Sequence, residues 1–160
     1  PFAIDRILDG LSDMSSAFAV DVDVRAPAED GPTAGAVVRA LSSTEGSPAE
    51  LVSLEPRGDA TVAVLGRATL ATSAEDSRAG AVTATPAGYE TIVALNNAED
   101  RLRWARIGVD GTVGDTVDFG GDVDASNLAM DRASPSAGAF VYAAETAGGR
   151  NVQFRQLGCE

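Results

Sequence analysis

Apolar and polar residues alternate along most of this chain, in short runs separated by turn-forming residues. Val20–Val24 (VDVDV) alternates without a fault, and Arg101–Ile107 (RLRWARI) alternates until a slip at Ala105-Arg106-Ile107. A period of two puts successive side chains on opposite faces of a strand. These runs therefore predict strands, and the slip reads as a β-bulge. The 17 Gly and 7 Pro are spread along the sequence instead of pooling in one linker, as expected of many short strands joined by turns. One stretch departs from the pattern. Ile4, Ile7, Leu8, Leu11 and Met14 fall at helical spacing, so residues 1–16 predict a short amphipathic helix, with a closing strand over Phe2–Leu8 as the other reading.

The runs recur. Ala36–Leu41 (AVVRAL), Glu90–Leu95 (ETIVAL) and Ala139–Ala144 (AFVYAA) are each followed by a polar turn and a second alternating run, at 51–54, 102–107 and 152–157. Leu54, Ile107 and Leu157 are equivalent and lie 53 and 50 residues apart. A run precedes each hairpin, at Ala17–Val24, Ala79–Thr85 and Leu128–Arg132, and a fourth follows the first two, at Thr61–Leu65 and Thr112–Phe119. Asp110-Gly111 marks a tight turn, because Gly accepts a positive φ at no steric cost. The unit is four antiparallel strands in about 50 residues, a period that fits a propeller blade better than a helical repeat. The expected organisation is an N-terminal segment, 1–16, and one all-β domain, 17–160, of three blade-like units at 17–67, 79–119 and 127–158. A β-sandwich built from the same hairpins is the alternative architecture.

The run RLRWARIGVDGTVGDTVDFGGDVDAS (residues 101–126) resembles the propeller-type repeats of bacterial secreted and surface proteins. In those repeats an arginine-flanked strand leads into a Leu/Ile-Gly-x-Asp-Gly turn and an outer strand. The likeness covers most of residues 17–158. The first repeat departs from it, having Leu54-Glu55-Pro56-Arg57-Gly58-Asp59 in place of the Trp and the Asp-Gly turn. The resemblance implies a partial propeller completed by another chain or by copies of this one, since three blades are fewer than the four to eight that close a ring. A homodimer is the simplest such arrangement. It also implies an extracytoplasmic setting and a non-enzymatic binding or assembly role.

Composition narrows the chemistry. The 160 residues carry 24 acidic and 12 basic side chains, every basic one an Arg, and there is no His. A field this negative opposes binding to nucleic acid or anionic lipid, and no stretch approaches the ~20 apolar residues of a membrane span. The chain opens at Pro1 without an initiator Met or a signal-peptide pattern, which reads as a processed product or an excised piece. Ser-His-Asp and Cys-His sites cannot be assembled without His. Gly148-Gly149-Arg150 lacks the Lys-Ser/Thr of a phosphate loop.

Carboxylates, arginines and aromatics remain. Asp110, Asp115, Asp118, Asp122 and Asp124 form the densest acidic cluster, and calcium takes oxygen ligands from such loops. The spacing does not follow the EF-hand, and a solvated strand and turn is the plainer reading. A pair such as Asp115 and Asp118 is the minimum a glycan-acting hydrolase would need. Trp104 with Arg101, Arg103 and Arg106 could bind a ligand or partner. The bland reading packs Trp104 between sheets and pairs the arginines with carboxylates. Cys159 is the sole cysteine, leaving an interchain disulfide or a free thiol as its options. A structural subunit of a particle or surface layer is a further reading of the same features.

Overall fold

The computed structural model describes residues 17–25, 34–41, 48–56, 62–96, 101–120, 124–134, 137–146 and 148–158. Expectations for residues 1–16, Asp122 and Cys159 lie outside these. The described residues form eleven strands: β1 (Ala17–Arg25), β2 (Ala34–Leu41), β3 (Ala49–Pro56), β4 (Val62–Ala71), β5 (Ser77–Thr85), β6 (Gly88–Leu95), β7 (Arg101–Gly108), β8 (Val113–Phe119), β9 (Asp124–Ser134), β10 (Ala137–Thr146) and β11 (Gly149–Gly158). A 3-10 turn at Ser73–Glu75 is the only helical element among them. The protein is all-β and antiparallel.

Each strand pairs with its neighbours in sequence. Sheet 1 is β1-β2-β3-β4, sheet 2 is β5-β6-β7-β8, and sheet 3 is β9-β10-β11. The register repeats with the sequence: Val38 faces Leu51, Ile92 faces Trp104, and Val141 faces Phe154. The next pairs toward the hairpin turn are Ala40 with Ala49, Ala94 with Leu102, and Ala143 with Val152. The β7–β8 ladder shifts opposite Ala105–Ile107, but the extra residue is on β8, and β7 keeps an unbroken register with β6. The slip in its pattern is therefore no bulge of that strand. It comes from cover on both faces, Leu102 lying in one apolar cluster and Ala105 and Ile107 in the other.

The three sheets stack. Their first strands adjoin, with β5 in contact with both β1 and β9. Two apolar clusters hold the stack. In the first, Leu51 and Leu70 of sheet 1 meet Tyr89, Val93 and Ile107 of sheet 2. In the second, Ile92 and Leu102 of sheet 2 meet Phe140 and Tyr142 of sheet 3. Alternate residues of β6 thus serve opposite joints, and every residue of that strand is buried. This explains the almost continuous apolar run at its end: a strand covered on both faces has no reason to alternate.

Close approach tightens the first joint. The β7–β8 turn lies on β4 at Gly66, where a methyl group would run into the Asp110 carbonyl. Gly111 in that turn has φ +84, as the Asp-Gly pair predicts, and faces the Arg67 backbone.

The two ends of the stack differ. On sheet 1, Val52 and Leu54 project away from sheet 2, by alternation with Leu51, yet are 0% and 6% exposed. On sheet 3 the corresponding outward face is bare, with Val152 at 79% and Phe154 at 61% exposure.

Candidate functional site

Between sheets 2 and 3 the strands pack closely at β5, β6 and β9, and a cleft of about 540 Å3 opens farther out. Trp104, Val117 and Phe119 wall it from sheet 2, and Phe140, Tyr142 and Leu157 from sheet 3. The Phe119 and Phe140 rings meet edge to face at 5.6 Å, and Phe140 stacks on Tyr142 at 5.9 Å. These aromatics are placed by alternation: Phe140 and Tyr142 are the inward residues of β10, and Phe119 ends the exposed strand β8.

Three guanidinium groups also line the cleft: Arg106, Arg132 and Arg155. Arg106 lies over the Trp104 ring, 5.2 Å from its centroid. Glu90 sits below them, 3% exposed, and accepts hydrogen bonds from Arg132 Nε at 2.6 Å and Nη2 at 2.7 Å. Arg106 Nε donates to the same carboxylate at 3.3 Å, and its Nη1 to Asp115 at 3.4 Å. Glu90 belongs to β6 and Arg132 to β9, so a buried two-pronged ion pair ties one sheet to the next. Burying a charge is tolerable only with such pairing. Trp104 Nε1 is buried with no hydrogen-bond partner.

The first joint carries a comparable device. Arg103 donates to Asp118 at 2.7 and 2.8 Å, pairs with Glu75 at 2.7 Å, and reaches the Leu70 carbonyl of sheet 1 at 3.2 Å. Hydrogen bonding to Asp118 raises the Arg103 pKa against the opposing effect of burial. The same bond holds the Asp118 carboxyl below its ordinary value of 3.8. Burial pushes the Glu75 carboxyl up, but bonds from Arg103 and Thr72 outweigh it and leave it below 4.5. Thr72 contributes through its backbone N–H at 2.8 Å and its hydroxyl at 3.1 Å.

The residues singled out in the sequence therefore separate. Trp104 and Arg106 enter the cleft. Arg103 and Asp118 serve the other joint, and Arg101 lies 3.5 Å from Asp118. Asp110 folds back on its own turn, accepting bonds from the Thr112 N–H at 2.9 Å and hydroxyl at 2.7 Å, which hold its carboxyl below 3.8. Asp115 points to the sheet 3 side of β8 and Asp118 to the sheet 1 side. Asp124 begins β9. Among the described residues no three His, Cys, Asp or Glu side chains gather where they could hold a metal ion. Glu90, Arg132 and Glu75 escaped sequence reasoning. The one available signal was Glu90 itself, a charge at a repeat position where the other two units have Ala36 and Ala139.

The cleft offers aromatic faces and guanidinium donors, which is binding chemistry. No protein-family model matches the chain, and no curated protein does. Among the described residues no helix is long and apolar enough to cross a membrane.

Proposed function

We propose that this chain is a non-enzymatic binding and assembly module of a secreted or cell-surface bacterial protein, and that its sheets are propeller-like blades of a larger complex. The observation that carries the reading is the stack: three successive meanders, joined twice through equivalent positions, with their first strands together and the third outward face left bare. Large bare apolar patches on otherwise charged proteins mark contact sites. Native mass spectrometry of material from the source organism tests the reading. Assemblies heavier than one chain are expected; a single-chain species throughout would overturn it.

The non-enzymatic part has separate support. A hydrolase acting on glycans through Asp115 and Asp118 needs both carboxylates to flank one bond, but these two lie on opposite sides of β8, each beside an arginine. A polysaccharide turnover screen is expected to detect nothing. Hydrolysis that disappears in the Asp115→Asn/Asp118→Asn variant would reverse the conclusion.

A further inference from the structure

The outer strands close the two joints differently. On β4, Ala68 pairs with Leu51 and Ala71 with Ala49, and both alanines are buried in the first joint, at 3% and 1% exposure. The equivalent residues of β8 are Val117, paired with Trp104, and Phe119, paired with Leu102. Val117 is 51% exposed and Phe119 is half-buried. Small residues let the first joint shut, whereas bulky ones line an open cleft of about 540 Å3 in the second. Sites for small molecules span roughly 300–1,000 Å3.

The charge of this cleft selects its ligand. The chain carries a net charge of -12, yet the described lining residues include three arginines and no carboxylate. Glu90 holds Arg132 from below, and Arg106 is shared between Glu90 and Asp115. Arg155 is placed otherwise. It pairs with Phe140 across β11 and β10, so its side chain stands exposed on the cleft face of sheet 3. Among the described residues no carboxylate holds it. A guanidinium fork takes a planar carboxylate through two parallel hydrogen bonds. Trp104, Val117 and Leu157 supply apolar walls for a flat ring beside it. The negative field of the whole chain opposes a polyanion, so the cleft suits a small ligand of low charge.

We infer that the cleft binds a small aromatic carboxylate, its ring between sheets 2 and 3 and its carboxylate on Arg155. The inference rests on the binding part of the reading above and names the ligand class. Isothermal titration calorimetry with 2-naphthoate, its neutral amide and acetate tests it. Naphthoate is expected to bind with a dissociation constant on the order of 0.1 mM, at least about tenfold more tightly than the amide or acetate. Arg155→Gln should bring naphthoate to the level of the amide and leave the amide unchanged. Its side chain is exposed enough for the circular dichroism spectrum to stay the same. Val117→Glu should weaken naphthoate by setting a fixed carboxylate in the cleft, and Val152→Glu, on the other face of sheet 3, should leave binding as it is. Equal affinity for naphthoate and its amide, an Arg155→Gln variant that binds naphthoate as before, or no naphthoate binding at millimolar concentration would each overturn the inference. Heavier native assemblies without naphthoate binding would remove this site and leave the assembly reading standing. Naphthoate held by a single-chain species would support the site while the assembly reading failed.

Discussion

Arg103 joins three parts of the chain: the Leu70 carbonyl of sheet 1, Glu75 of the connecting turn and Asp118 of sheet 2. Hydrogen bonds to charged groups contribute about 1.5–3 kcal/mol each, net of those lost to water, and these groups are partly exposed, which lowers the figure. Arg103→Met is therefore expected to cost about 2 kcal/mol in urea unfolding. The pH dependence should change with it. Asp118 and Glu75 have folded pKa values below their ordinary 3.8 and 4.5. Their stabilisation is full above those ordinary values and is lost as pH falls through the folded ones. The wild type should lose stability in that acid range, and Arg103→Met should show a shallower loss. Glu90 has a different logic. Removing one partner of a buried pair leaves a charge uncompensated, at about 3–5 kcal/mol, whereas replacing both is near neutral. Glu90→Leu should destabilise strongly, and adding Arg132→Met should recover most of the loss, a coupling a double-mutant cycle measures directly.

Among the elements, β7 and β11 are the instructive pair. Leu102 and Val152 occupy one repeat position on β7 and β11, but the first is 1% exposed and the second projects from the bare face. Leu102→Ala should cost about 3 kcal/mol through transfer and cavity terms, and Val152→Ala less than about 0.5 kcal/mol in dilute solution. Chemical denaturation of the two variants decides this. The same comparison shows what could be read beforehand. Alternation located the strands and the Asp-Gly pair located a positive-φ glycine, because each is a local backbone property. The slip at Ala105–Ile107 misled, since β7 is regular there and the pattern breaks because both its faces are covered. Gly66 was not legible, since its constraint comes from a turn more than forty residues away in sequence. Nor were Glu90 and Arg132: a Glu opening ETIVAL reads as the exposed end of a hairpin until a second sheet is laid over it. The separation of Asp115 from Asp118 follows from strand period, yet the partners on each side depend on the stacking order.

Across the whole molecule, stability should be graded by how fully each strand is covered by neighbouring sheets. β6 is covered on both faces, whereas β8 and β11 are mostly exposed. Hydrogen exchange is expected to be slowest in β6 and fastest in β8 and β11, as amides open with free energies that track local burial. Equal protection in all three strands would contradict the stacked arrangement. Trp104, the sole tryptophan, lies in the second joint, so its emission should move when sheet 3 separates from sheet 2, whether or not the first joint has opened.

The cations across both joints are all arginines. A guanidinium keeps its proton far above the range in which lysine amines lose theirs. Alkaline solution therefore has no proton to strip from these clamps, and reagents that acylate amines find no target among them. A molecule fastened in this way should tolerate base much better than acid, and should stay intact through amine-directed labelling.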